Sequence, residues 1–535
     1  MGGKKYQDMN ERRYPVGIQT FSEIIAKGMV YVDKTDIVWR LTHENKYVFL
    51  NRPRRFGKSL LATTLKSYFE GRRDLFEGLK IMQLEQEWTE RPVISLSLSQ
   101  AKSQSSAEAL QYAIGLQLVP FEKLYGRNTA ENTPGQRLRG IVQRAVEQTG
   151  RQAVVIIDEY DAPLLEVLHE EENLKEFRRI MQEFYVPLKD LDPYLQFCFI
   201  TGITKFSQLS IFSTINNLNN ISMLPQYATI CGITEEELAT TLAEDTALLA
   251  ESYGCTPAEM HQRLQRQYDG YHFSHSSSGV YNPFSLMKAF LNKDIANYWF
   301  DSGTPSYLIR QMQHFRTDIT VMDNMEVSAS AFDRPTEAMT TALPLLYQSG
   351  YLTIKDYDRE TMLYQLSIPN QEVRVGYTEG LLPTYVGLEG SDVQTGFAVK
   401  FWRSLKRGDI QQAMLDMQSF MAGLPYVDGF KKKLEAAAQK EAFYEYTMYL
   451  IFSMLNVYAR TQVRCAGGRV DMVVQMPDAT YVFELKKDGT PREALQQIDS
   501  NSYAIPYKSD GRRVVKIGVR FNVDTRVPEE WEIAE

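Results

Sequence analysis

Residues Ala153–Asp158 read AVVIID, five apolar residues and then an acid, with Glu159 directly after. A strand with no polar position has no face to offer water, so it belongs inside a parallel sheet that helices cover on both sides. Lys46–Asn51 (KYVFLN) is a similar run, and it leads into RPRRFGKSLLATTLKSYFEG. That order predicts a strand, a Gly-Lys-Ser turn and a helix over Ser59–Gly71 closed by its glycine. Pro92–Ser99 (PVISLSLS) and Leu195–Gly202 (LQFCFITG) are two further short runs, separated by amphipathic stretches. Strands alternating with helices in this way specify an α/β fold with a parallel sheet.

A chain of 535 residues exceeds one ordinary core, so several domains are expected. From Ile233 the character becomes helical: TEEELATTLAEDTALLAESYG starts on Thr234 with acids in the first turn, a helix-start pattern. Helices are expected as far as about residue 380, interrupted by an ordered loop or hairpin at Tyr268–Ser285 (YDGYHFSHSSSGVYNPFS). A Gly- and Pro-containing stretch near Glu379–Ser391 marks the next boundary. Amphipathic helices follow over about 394–460, and then GRVDMVVQMP, ATYVFELKKD, a helix PREALQQIDSNSYA and a final strand RVVKIGVRF. The expected division is 1–232, 233–390 and 391–535.

Hydrophobic content of 44% and charged content of 24% are those of a soluble globular protein, and no apolar run is long enough to span a bilayer. The opening MGGKKYQDMNERRYP lacks the apolar core of a secretory signal. Cys198, Cys231, Cys255 and Cys465 have neither metal-ligand nor disulfide-framework spacing, so buried free thiols in a cytoplasmic protein are expected. The net charge of −8 argues against a surface coated for nucleic acid. From residue 391 onward, however, 20 Lys and Arg stand against 19 Asp and Glu, a balance of +1 that leaves room for a local basic groove.

A phosphate loop needs inward backbone N–H groups, a lysine for the terminal phosphates and a hydroxyl for Mg²⁺ at a helix N-terminus. Gly57, Lys58 and Ser59 supply these, although Arg52 stands where the usual loop has its first glycine. Asp158 and Glu159 supply the complementary half: a carboxylate to hold Mg²⁺ and a base to polarise the attacking water. Arg55, Phe56, Gly57, Lys58, Ser59 and Leu60 form the expected nucleotide-binding stretch, with Ser59 and Asp158 on the metal. Thr201, Thr204 and Lys205 sit at the C-terminal end of the fourth strand, where open α/β sheets bind ligands. They are candidate readers of the γ-phosphate or, equally, a helix N-cap. Arg52, Arg54 and Arg55 are solvated charges, phosphate contacts or contacts to a partner chain; the sequence leaves these open.

YVDKT (Tyr31–Thr35), NRPRRFGKSL, VVIIDEYDAP, FITGITKFS, YDGYHF and YNPFSL together resemble the AAA-ATPase-like family of bacterial proteins, over roughly residues 10–285. Members have Arg-Pro-Arg-Arg-Phe-Gly-Lys-Ser in place of a glycine-bracketed loop. The resemblance implies a P-loop ATPase sheet of the additional-strand type, a helical or winged-helix-like lid, and Mg-ATP as ligand. Such ATPases often assemble from several copies with an arginine supplied between them, and no residue here is marked as that arginine.

In Gly467–Asp488, Asp471 lies on one strand and Glu484 and Lys486 on the next. Residues two apart on a strand share a face, so Glu484 and Lys486 point together. Acids on adjacent strands can hold Mg²⁺ and a lysine can activate water for phosphodiester cleavage; an exposed charge ladder on a hairpin has the same spacing. Glu441 and Glu445 share a helix face upstream, and Gln497 and Tyr503 follow. The order of Glu helix, GRVD, FELK and ALQQI…Y resembles the PD-(D/E)XK nuclease superfamily over roughly 395–535, with Val470-Asp471 replacing the leading Pro-Asp. The resemblance implies a restriction-endonuclease-like α/β domain in which Asp471, Glu484 and Glu441 (or Glu445) are metal ligands, Lys486 is the catalytic lysine and Gln497 an accessory.

Two function classes follow. One is an ATP-hydrolysing enzyme that drives a Mg²⁺-dependent nuclease-like domain on nucleic acid, DNA being the first expectation. The other is an ATP-driven switch or scaffold whose C-terminal domain only binds nucleic acid or a protein.

Overall fold

Each apolar run of the first third becomes a strand. In the computed structural model β1 (Tyr47–Asn51), β2 (Val93–Ser97), β3 (Ala153–Asp158), β4 (Leu195–Gly202) and β5 (Asn219–Asn220) form one sheet in the order β2-β3-β4-β1-β5. All four neighbour pairs are parallel. Every residue of β1 and β3 is buried, and Val154, Val155, Ile156 and Ile157 are fully so. Burying such a side chain contributes about 1.5–3 kcal/mol, which is why an all-apolar run is stable only at the sheet's centre. β4 lies between β1 and β3, so the strand that enters the Gly-Lys-Ser turn and the strand that ends in Asp158 are separated by one additional strand.

The structure describes residues 12–535 except 103, 105, 169, 206–217, 300–305, 316–324, 337–338, 378–399, 402, 406, 423–457, 466–467, 477, 488 and 523–526. Contacts divide the chain into two compact units, Met1–Thr317 with Glu326–Glu372, and Asp318–Met325 with Val373–Glu535. The expected boundary at 390/391 falls outside the described residues. Among the described residues no helix is long and apolar enough to cross a membrane.

Helices Ala107–Tyr125 and Pro134–Thr149 connect β2 to β3, and Glu171–Tyr185 lies between β3 and β4. Thr234 is an N-cap as its sequence predicts: its hydroxyl accepts from Glu237 N, and the Glu237 carboxylate accepts from Thr234 N. The helix it starts is short, Glu235–Ala239, and a second runs over Ala243–Ser252. Between them the Thr240 hydroxyl bonds back to Glu236 O, a competition with the helix ladder that adjacent threonines make easy. In Tyr268–Ser285 the chain forms a hairpin-like loop, closed by Tyr271 against Val280, and Val280–Tyr281 pairs with Ile233–Thr234.

Two expectations need correction. The region before residue 380 is not helical throughout, because Thr353–Asp358 and Leu363–Ser367 form an antiparallel pair. RVVKIGVRF (the strand Arg513–Phe521) is not the last strand, since Pro528–Ala534 pairs with it along the edge. PEEWEIA carries three acids, Glu529, Glu530 and Glu532, and such charges suit an edge strand.

In the second unit Gly468–Gln475 pairs antiparallel with Ala479–Lys486, which runs parallel to Arg513–Phe521 across the helix Pro491–Ser500. Val470, Val473, Val482, Ile498 and Tyr503 form the core between sheet and helix.

Candidate functional site

The loop after β1 is shaped by a side chain, Arg52, at the position where the first glycine is usual. Arg52 is 1% exposed; its Nη1 donates to Asn51 O (3.0 Å) and Ser222 O (2.7 Å) and its Nη2 to Tyr227 O (3.2 Å). The guanidinium lies 4.0 Å from the centre of the Phe273 ring. Burial pushes Arg52 down to about 10, so it stays charged at neutral pH. It is thus a tether between loop and sheet. Pro53 packs where Gly350 leaves room: a Cβ on Gly350 would stand 2.7 Å from Pro53 Cβ.

Arg55 has a positive φ of 68° and stacks 3.7 Å from the centre of the Phe284 ring. Phe56 is fully buried, edge-on to Tyr271 (4.7 Å between centroids) and Phe273 (5.3 Å). The YDGYHF motif therefore serves as the floor of the loop. Gly57 takes the left-handed conformation (φ 86°) that caps the helix Lys58–Phe69. Lys58 is 7% exposed, and its Nζ donates to Arg52 O and Pro53 O, both at 2.9 Å; burial pushes its pKa down. Ser59 and Leu60 open with it onto a cavity of about 530 Å³. Arg54, Lys58 and Glu159 line that cavity together with the apolar Val16, Ile18, Val32, Ile233 and Met287. The size and the mixture of apolar wall with a few convergent polar groups suit a nucleotide.

At the end of β3, Asp158 is buried and its Oδ1 accepts from Glu159 N (2.9 Å). Glu159 has a positive φ of 51°, a conformation that costs a non-glycine residue about 1–3 kcal/mol and gathers at functional sites. Burial, then the neighbouring Asp158, raises its pKa, and Lys58 counteracts.

Asp161 is a residue that the sequence reading missed. It is fully buried and accepts from Ile203 N (3.0 Å), Thr204 N (2.6 Å) and the Thr204 hydroxyl (2.6 Å). Burial raises its pKa. The Tyr160 hydroxyl donates to Thr204 O (2.9 Å), so the acidic turn is stitched to the end of β4. Thr201 and Thr204 are fully buried and their hydroxyls already donate to Leu50 O and Asp161. Lys205 Nζ reaches Asp333 (2.7 Å), and its N–H donates to Gln348 (2.8 Å). A third acid in DEYDAP, one residue before an Ala-Pro helix start, was the available signal for Asp161.

In the second unit Asp471 and Glu484 stand one step beyond the paired residues Met472 and Phe483, across adjacent strands. Asp471 Oδ2 accepts from Leu485 N (2.8 Å). Glu484 is 2% exposed, and burial, then the Asp471 charge, raises it to about 7. Its Oε1 lies 3.6 Å from Lys486 Nζ, which also donates to Gln497 Oε1. Glu484 Oε2 is buried with no hydrogen-bond partner. Two carboxylates that repel each other, one with an orphaned oxygen, fit a divalent cation. Among the described residues no third His, Cys, Asp or Glu joins them, and Glu441 and Glu445 lie outside those residues. Tyr503 is buried, its hydroxyl accepting from Asn501.

Residues 15–212 match the family described as Predicted AAA-ATPase, and residues 439–531 match the PD-(D/E)XK nuclease superfamily. The chain is also 32% identical over 531 residues to a protein of Azotobacter chroococcum mcd 1 named "Uncharacterized protein in vnfD 5'region". That alignment covers 97% of this chain and 98% of the relative, whose name states no activity.

Proposed function

The chain belongs to the predicted AAA-ATPase family and ends in a domain of the PD-(D/E)XK nuclease superfamily, and on that premise we propose that it is an ATP-hydrolysing enzyme that drives a Mg²⁺-dependent nuclease on nucleic acid. The observation that carries the first half is the cavity of about 530 Å³ that Lys58 and Ser59 of the loop line together with Glu159. Lys58 is held by two loop carbonyls, partners that a phosphate can replace with a stronger, charge-assisted bond. Ser59 and Asp158 are the residues that would hold Mg²⁺, which supplies neutralising charge to the β- and γ-phosphates when bound. Glu159, with its raised pKa, is the base that takes the proton of the attacking water.

For the second half, Asp471 and Glu484 would hold Mg²⁺ and Lys486, positioned by Gln497, orients the water. Domains 1–232 and 233–390 then form the ATPase with its lid and 391–535 the nuclease. The protein is read as cytoplasmic, acting on DNA before RNA.

Incubating the purified protein with DNA and Mg²⁺, beside an Asp471→Ala/Lys486→Ala control, tests the nuclease. Equal cleavage by both removes it; ATP turnover with DNA binding but no cleavage leaves the scaffold reading. Wild-type protein that binds no ATP removes the ATPase.

A further inference from the structure

The three arginines of the loop have different fates. Arg52 is locked beneath it on three carbonyls, and Arg55 lies on the Phe284 ring. Arg54 does neither. It lines the nucleotide cavity, partly exposed, and among the described residues it makes no hydrogen bond, ion pair or ring contact. The other cations of that cavity are engaged: Lys34 with Glu237 (2.6 Å), Lys102 with Glu166 (3.0 Å) and Lys58 with the loop carbonyls.

Its position is fixed although its side chain is uncommitted. Pro53 on one side meets Gly350, and Phe56 beyond Arg55 is clamped by Tyr271 and Phe273, so Arg54 stands on a loop anchored at both shoulders. Arg54 and Glu159 line the same cavity. A base within hydrogen-bond reach of the attacking water places that water beside Glu159, and the γ-phosphorus lies a near-attack distance further, about 3–3.5 Å. A guanidinium in this space meets the γ-phosphoryl oxygens, for which its planar fork is suited.

We propose that Arg54 is the catalytic arginine of this ATPase, binding the γ-phosphoryl oxygens from within the same chain, so that no arginine from a second copy is required. The inference rests on the ATP-hydrolysis reading above. In the reaction, water forms the new bond to the γ-phosphorus while the bond to the β–γ bridging oxygen breaks. The water's proton passes to Glu159 and ADP leaves with the electron pair. Arg54 exchanges no proton; it stabilises the charge that spreads over the equatorial oxygens.

The test compares full-length wild type, Arg54→Ala and Arg54→Lys in ATP turnover, in ADP affinity and in binding of ADP with aluminium fluoride. Arg54→Ala is expected to lose about 10³-fold in kcat and to stop binding the fluoride complex, with ADP affinity unchanged. Arg54→Lys recovers only part of the rate. Mixing Arg54→Ala with Glu159→Gln, which carries an intact Arg54 but no base, leaves the rate at that of Arg54→Ala alone. Turnover restored by mixing overturns the single-chain assignment, and wild-type kcat in Arg54→Ala overturns the role itself. If Arg54→Ala also loses ADP, wild-type kcat in Arg54→Lys overturns the role and a large loss supports it. A wild type that binds no ATP sinks the ATPase reading, and this proposal with it, and is distinguishable from all of these.

Discussion

The two candidate sites handle their charges in opposite ways. At the ATPase site four of the buried charged or polar groups are held by protein: Arg52 on three carbonyls, Lys58 on two, Asp161 on the end of β4, and Thr201 on Leu50. In the nuclease-like unit Asp471 and Glu484 crowd one another and Glu484 keeps a buried oxygen without a partner. The first site is thus preorganised by internal bonds that a ligand must replace. The second holds an electrostatic debt that a cation relieves. ATP is therefore expected to alter the first unit by exchanging bonds, and Mg²⁺ to alter the second by removing repulsion.

The sharpest way to break this contrast is to delete the groups that each site uses directly. Lys486→Ala is expected to lower DNA cleavage by about 10²–10⁴-fold, measured as initial rate under saturating Mg²⁺. Lys58→Ala removes a buried charge-assisted contact of about 2–5 kcal/mol and so weakens ATP binding by about 30- to 4,000-fold in calorimetric titration.

Arg52→Ala sharpens the contrast by separating structure from chemistry. It strands buried carbonyls and takes the guanidinium from Phe273, at a cost of about 3 kcal/mol, read as a fall in the midpoint of denaturant unfolding. Arg52→Gly, which writes the usual loop sequence, should be as damaging as alanine, whereas Arg54→Ala should leave stability unchanged. A harmless Arg52→Gly contradicts the tether.

The smallest expected effect concerns Glu484. Its folded pKa of about 7 lies above the usual 4.5, so the folded state holds its proton more tightly than the unfolded chain. Without metal, this stabilisation is complete below about 4.5 and is lost as pH rises through about 7. Glu484→Gln should flatten the fall in unfolding free energy over that window in chelator, by no more than about 3 kcal/mol, read from denaturant midpoints. Added Mg²⁺ should stabilise the wild type most above pH 7. A pH profile unchanged by the substitution contradicts the crowding of the two carboxylates.

The elements that could be read from sequence are those whose cause is local. AVVIID had to be a covered strand because it offers no polar face, and Thr234 with Glu237 three residues on had to cap a helix. Asp471, Glu484 and Lys486 could be grouped because strand alternation fixes which residues share a face. What could not be read depends on partners far along the chain. Arg52 has its acceptors at Ser222 and Tyr227, and Asp161 has its donors at Ile203 and Thr204. Without those partners an arginine in a loop is only a charge, and a third acid only a helix start. The hairpin Thr353–Asp358 with Leu363–Ser367 was hidden because TIKDYD and LYQLS each bury only two residues, too weak an alternation to outweigh the helices around them.

The central claim is that ATP turnover drives a nuclease on the same chain, and the most direct measurement is the DNA-cleavage rate in Mg²⁺ with and without ATP, for wild type and Glu159→Gln. The account predicts that ATP accelerates cleavage by the wild type, that Glu159→Gln binds ATP without the acceleration, and that Asp471→Ala/Lys486→Ala cleaves under neither condition. Cleavage that is indifferent to ATP, or equal in the Asp471→Ala/Lys486→Ala control, would contradict it.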